Sequence, residues 1–215
     1  MRKLQIASRW IVALLFISIA PSTNAQLIEG KNFSRLSQPQ SVDTGAKIEV
    51  IEFFSYGCPH CREAEPVVKG WLKTAPADVQ FRRIPAIFRP SWEALARSYY
   101  ALEALGQVER LNEKVFEAIH DKGLQLHNEA AMADFVAANG IDRKKWESAY
   151  KSFGVNAKVT RAKQSLPNYQ IDSVPTLVVD GKYRTGASQA GGHIGAFKVI
   201  DALIQRARAE RGPGK

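Results

Sequence analysis

The spacing of apolar residues changes several times along the chain, and the changes outline its elements. Lys47 to Phe54 (KIEVIEFF) is rich in β-branched and aromatic residues, the pattern of a central buried strand. From Pro59 to about Thr74 the spacing becomes helical. Cys58 stands at the N-cap position and Pro59 at the first helical position, where a missing N–H costs nothing. Pro66 falls inside this helix, deletes the bond to the Arg62 carbonyl and predicts a kink. Val79 to Pro85 reads as a second strand, entered by a turn around Pro76 and Asp78. From Ser91 to Leu166 the pattern is helical throughout. Trp92, Leu95, Ala96, Tyr99, Leu102 and Leu105 recur at helical spacing up to Gly106, and Val108 to His120 repeats this with Leu111, Val115 and Ile119. Asn128 to Asn139 closes at Gly140, Asp142 caps a helix carrying Trp146 and Tyr150, and Asn156 to Leu166 ends the run. The aromatic residues here read as core, and the stretch offers no candidate chemistry. Strand pattern returns at Pro175 to Val179, followed by the two-residue hairpin signal Asp180-Gly181 and a return strand, Lys182 to Thr185. Gly191 to Gly195 reads as a loop, and Ala196 to Arg208 as an amphipathic helix with Phe197, Ile200, Leu203 and Ile204 on one face. Upstream, Gln26 to Ala46 is a lead-in, with a short edge strand at Asn32 to Leu36 and a loop at Ser37 to Gly45.

The order is strand, helix, strand, helical insertion, strand, hairpin, strand, helix. It predicts an α/β domain formed by residues 26–90 and 167–210, with 91–166 inserted as an all-helical domain. The length suits one domain with an insertion and can bury a sizeable core.

The first residues add a compartment. Arg2, Lys3 and Arg9 precede an apolar run from Trp10 to Ala20; Pro21 breaks it, and Thr23-Asn24-Ala25 supplies the small residues of a cleavage site. The run is too short to span a bilayer comfortably. Residues 1–25 therefore read as a cleaved signal peptide, an uncleaved anchor being the minor alternative. Net charge is +9, and removing three cations from the N-terminus leaves about +6. The remaining Lys and Arg are scattered among acids with no basic-aromatic stripe, which argues against nucleic acid as a partner.

Export changes the meaning of the only two cysteines, Cys58 and Cys61, in the run Cys58-Pro59-His60-Cys61. In an oxidising compartment such a pair is usually a disulfide. A bridge closing two intervening residues restrains the unfolded chain little, so a structural staple would be poorly placed here and a redox pair well placed. The thiolate is the attacking species. The Cys58 sulfur would sit at a helix N-terminus, where free N–H groups and the macrodipole favour negative charge. His60 would add a hydrogen bond or, when protonated, positive charge. Cys61, one turn in, would be the more buried partner. Stabilising the thiolate stabilises the reduced form, so this arrangement predicts a disulfide that is given away. Half a zinc site is the competing reading of Cys-x-x-Cys, but zinc needs four ligands. His120, His127 and His193 form no knuckle with the pair, and each reads as a surface or satisfied core residue. No metal is expected.

Two residues outside the motif stand out. Glu52 lies in an apolar strand, where a carboxylate is expensive unless paired. Either the strand turns one polar face to water, or Glu52 is a buried acid below the cysteines that exchanges protons with them. Pro175, in Ser173-Val174-Pro175-Thr176, opens a strand, a place where proline is tolerated and where an X-Pro bond can be cis or trans.

The stretches EFFSYGCPHC (Glu52 to Cys61) and VPTLVVDGKY (Val174 to Tyr183) together resemble the DsbA family of periplasmic thiol-disulfide oxidoreductases. The likeness extends over essentially the whole chain after the signal peptide, with the elements in the same order. It implies a thioredoxin-like fold with an inserted helical domain, Cys58 as exposed nucleophile, Cys61 as buried partner and His60 as thiolate-stabilising residue. It implies a cis bond between Val174 and Pro175, facing the disulfide and pairing with substrate through its backbone. It also implies Glu52 as a buried acid, with Arg83 in the place of the family's usual lysine, and Glu65 as an acid near the active-site helix. The implied partners are reduced exported polypeptides and a DsbB-type, quinone-linked membrane protein that restores the disulfide. The implied compartment is the periplasm, with no cofactor beyond the Cys58–Cys61 disulfide. A second disulfide seen in some members has no cysteines here. Gln26 to Ala46 is too short for the dimerisation domain of isomerases of this class, so a monomeric oxidase is expected. The alternatives are an isomerase or reductase of the same fold, and a periplasmic chaperone that does not depend on its thiols.

Overall fold

The computed structural model describes residues 27–212; the signal-peptide reading at 1–25 lies outside them. Strand β2 (Ile48–Phe54) is the centre of the molecule. Every one of its residues is buried, as its apolar run requires, because helices cover both faces of the sheet. Val50, Ile51 and Phe53 are 0% exposed, and such burial contributes roughly 2 kcal/mol per side chain. Helix α1 (Pro59–Leu72) follows and crosses to β3 (Val79–Pro85), which pairs parallel to β2. After the helical insertion, β4 (Thr176–Val179) returns antiparallel on the other side of β2. Asp180 and Gly181 both take positive φ, turning the chain into β5 (Tyr183–Thr185). The two-residue β1 (Ser34–Arg35) lies on the outer side of β5, giving the order β1-β5-β4-β2-β3.

Alternate β2 residues build two cores. Ile48 and Val50 meet Val68 and Trp71 of α1 and Phe197, Ile200 and Leu203 of the last helix, α8 (His193–Arg211). Ile51 and Phe53 face the insertion, which holds α2 (Pro90–Ala104), α3 (Val108–Phe116), α4 (Glu129–Ala138), α5 (Arg143–Tyr150) and α6 (Phe153–Asn168). Trp146 and Met132 are fully buried there, as the helical pattern predicts. Asn128 and Asp142 cap α4 and α5, accepting from the N–H groups of Ala131 and Lys145.

Three elements differ from the sequence reading. The helix expected over Val108 to His120 ends at Phe116 and continues as a π-turn, Glu117–Asp121. Helix α6 starts at Phe153, ahead of the expected Asn156, because Ser152 caps it by accepting from the Val155 N–H; Phe153 itself is exposed, so apolar spacing does not mark this start. Between β5 and α8 lies a short helix, α7 (Ala187–Ala190), and α8 starts at His193, so the loop expected at Gly191 to Gly195 shrinks to two glycines. Helix α1 continues through Pro66. Among the described residues no helix is long and apolar enough to cross a membrane.

Candidate active site

Between β2 and α1 the chain turns through Ser55, Tyr56 and Gly57. The Ser55 carbonyl accepts from the Cys58 N–H (3.0 Å), and the Ser55 hydroxyl accepts from the Gly57 N–H (3.1 Å). Gly57 has a packing reason: a Cβ there would lie 2.6 Å from the indole nitrogen of Trp92 on α2. Cys58 is the N-cap of α1, with extended backbone, Pro59 at the first position and no capping bond from its side chain. The sulfur is therefore left beside the first N–H groups of the helix. Cys61 lies one turn on and is 1% exposed, against 6% for Cys58. Both are free thiols.

The environment pushes the two thiols apart. The Cys58 pKa falls to about 6, chiefly because its thiolate accepts a hydrogen bond from the Cys61 thiol. Burial opposes this, while the backbone N–H groups of Cys61 and His60 and then the charge of His60 add to it. The Cys61 thiol is pushed well above the usual range, first by burial, then by its bond to Cys58 and by the charges of Cys58 and Glu52. One sulfur is thus ionised at neutral pH and the other holds its proton.

Of the two contributions expected of His60, a hydrogen bond or positive charge, its side chain supplies the charge. Its exposed ring turns to Glu63, with Nδ1 3.0 Å from the carboxylate, and this pairing raises its pKa. Its backbone N–H reaches Cys58 and its side chain contributes charge only. The physical reason is proximity on the helix: a carboxylate three residues on competes for the ring and is already ionised.

Opposite the motif, the Val174–Pro175 bond is cis. Cys58 Sγ lies 3.3 Å from the Val174 carbonyl oxygen, to which it donates in its protonated form, so the loop and the first cysteine are in contact. His60, Val174, Pro175, Thr185, Gln189 and His193 lie along a cavity of about 450 Å³ at this edge.

Below the motif runs a buried polar network. Register places Glu52 beside Arg83 on β3. Arg83 donates through Nε to Glu52 (2.6 Å) and through Nη2 to Glu65 of α1 (2.8 Å). Glu65 also accepts from Asn112 Nδ2 (2.7 Å), and Asn112 Oδ1 accepts from the Tyr56 hydroxyl (2.8 Å). Glu52 is 2% exposed, so of its two readings the buried, paired acid holds. Burial raises the Glu65 pKa against the pull of Arg83. Asn112 escaped the sequence reading. Its signal was faint: it shares the buried side of α3 with Leu111, Val115 and Phe116, where a polar residue needs partners.

The family described as DSBA-like thioredoxin domain matches residues 49–191. The thiol:disulfide interchange protein DsbA of Burkholderia cepacia is 39% identical over 198 residues, 92% of this chain and 93% of that protein. Its counterpart in Bordetella parapertussis is 41% identical over 190 residues, 88% of this chain and 90% of that protein. The crystal structure of Pseudomonas aeruginosa DsbA superposes with a TM-score of 0.82 at 41% identity, covering 85% of this chain and 95% of that one.

Proposed function

The chain belongs to the DSBA-like thioredoxin family and is a thiol:disulfide oxidoreductase of the DsbA type; on that premise we propose that it works as an oxidase, donating the Cys58–Cys61 disulfide to reduced exported polypeptides in the periplasm. The opposite pulls on the two thiols carry this reading. A substrate thiolate attacks the Cys58 sulfur. The Cys58–Cys61 bond breaks, and its electron pair leaves on Cys61, which takes up a proton because its site disfavours charge. In this reading Glu52, whose charge raises the Cys61 pKa, exchanges that proton. A second substrate thiolate then attacks the substrate's own sulfur in the mixed disulfide, and Cys58 leaves as a stabilised thiolate. The substrate loses two electrons and the protein gains them.

In this reading the Val174–Pro175 backbone pairs with the substrate segment beside Cys58, Pro59 starts the helix that stabilises the thiolate, and His60 adds exposed positive charge. The redox-active disulfide is the only cofactor, and a DsbB-type, quinone-linked membrane protein restores it. Residues 1–25 serve as the export signal, and residues 91–166 form the inserted domain. The test is oxidative refolding of a reduced, disulfide-containing protein by the oxidised chain: Cys58→Ala abolishes it. Full activity of Cys58→Ala would overturn the reading.

A further inference from the structure

The insertion reaches the motif through the π-turn that ends α3. Lys122 N–H closes it on the Glu117 carbonyl at 3.0 Å. One extra residue in a helical turn rotates all that follows by roughly 100°. At the end of this turn, two neighbouring side chains meet the two flanks of Cys58–Cys61. His120 Nε2 lies 2.7 Å from the carbonyl oxygen of Tyr56, two residues before Cys58. The Asp121 carboxylate accepts from Arg62 Nη2 at 2.7 Å and from Nε at 3.3 Å, one residue after Cys61.

The grip on Tyr56 is built from several sides. The His120 ring stacks on Phe116 (29°, 6.2 Å), and Phe116 packs edge-on against the Tyr56 ring at 5.0 Å. The other end of Tyr56, its hydroxyl, is held by Asn112 of α3. A carbonyl can only accept, so the His120 ring carries its proton on Nε2. The residue after Tyr56 is Gly57, which has the widest backbone freedom of any residue. Without a tether on the Tyr56 carbonyl, the Tyr56–Gly57 peptide is held only at its N–H end by the Ser55 hydroxyl, and a tilt of that peptide moves the Cys58 sulfur relative to the helix N–H groups that stabilise it.

We propose that the π-turn Glu117–Asp121 is a clamp by which the helical insertion sets the geometry of the active-site turn, with His120 as a positioning residue that acts through the Tyr56 carbonyl. The inference rests on the reading of Cys58 as the nucleophile. It gives the insertion a part in tuning the disulfide, beyond covering one face of the sheet.

The test compares His120→Phe, which keeps the ring stack and loses the donor, with His120→Gln, which restores a donor without the ring. The readouts are titration of the Cys58 thiolate by ultraviolet absorbance and the redox equilibrium with glutathione. His120→Phe is expected to raise the thiolate pKa by about one unit and to shift the redox equilibrium up to about tenfold toward the disulfide form. His120→Gln is expected to recover most of both. Wild-type behaviour of His120→Phe overturns the clamp, and so does an equal shift in both variants. Should His120→Phe fail to fold, ring nitrogen NMR of the wild-type chain decides. An Nε2–H tautomer whose resonance moves as Cys58 titrates supports the clamp, and an Nδ1–H tautomer or an unresponsive ring overturns it. A wild-type Cys58 that titrates like an ordinary thiol refutes the nucleophile reading itself, whereas a low wild-type value with an unchanged His120→Phe removes the clamp alone.

Discussion

Replacing Arg83 with methionine tests the buried network under the motif. Methionine fills the space of the arginine stem and leaves Glu52 and Glu65, 2% and 7% exposed, without their shared guanidinium. Breaking a buried ion pair by removing one partner costs about 3–5 kcal/mol, since a desolvated charge is left behind. Here one cation serves two carboxylates at 2.6 and 2.8 Å, so the upper half of that range is expected. Against a usual total of about 5–15 kcal/mol, the loss is roughly a quarter or more of the stability. At this chain length it lowers Tm by about 10 °C or more. Urea unfolding followed by circular dichroism, on the reduced protein at pH 7, measures it. The loss shrinks as pH falls, because a neutral carboxyl group needs no counter-ion. Arg83→Lys keeps the charge but cannot reproduce a fork that reaches both carboxylates, and should cost about 1–2 kcal/mol. A loss below about 1 kcal/mol for Arg83→Met, or one that does not diminish in acid, refutes the reasoning.

The thiol pair predicts a pH profile for the reduced protein. Between about pH 6 and the ordinary thiol value of about 8.5, the unfolded chain binds a proton at Cys58 that the native chain does not, so stability rises with pH through this window. Above about 8.5 the sign reverses, because native Cys61 keeps the proton that the unfolded chain releases. The Cys58 contribution is about 3 kcal/mol before solvent screening and about 2 after it. Unfolding midpoints between pH 5 and pH 10 check this, and a flat profile contradicts it. His60→Leu should raise the Cys58 thiolate pKa, by less than about one unit, since the ring pairs with Glu63 and only its screened charge reaches the sulfur. Ultraviolet titration reads the change, and no rise removes His60 from the account.

Much of this was legible in one dimension because local rules and tertiary context agreed. KIEVIEFF reads as a buried strand, and all of it but the exposed Lys47 is one, since both faces of β2 are covered. Cys58 and Pro59 take the N-cap and first helical positions that their residue types favour. Glu52 announced itself by being costly, and a costly residue must find a partner. What stayed hidden depends on contacts distant in sequence. No spacing rule links Asn112 to Glu65, or His120 to Tyr56; those pairs exist only once α3 and its π-turn lie beside α1. Which of the two contributions expected of His60 operates was open for a related reason: Glu63, one turn along, is a partner for the ring that the motif alone does not reveal.

The redox equilibrium of the purified protein with glutathione tests the central claim most directly. Stabilising the Cys58 thiolate by about 2 kcal/mol favours the reduced form and raises the potential of the disulfide by about 40 mV over a pair without that help. The account predicts a potential at least about 40 mV above that of thioredoxin, about −230 mV or higher. A potential near that of thioredoxin, about −270 mV, would leave the fold intact and contradict an oxidase.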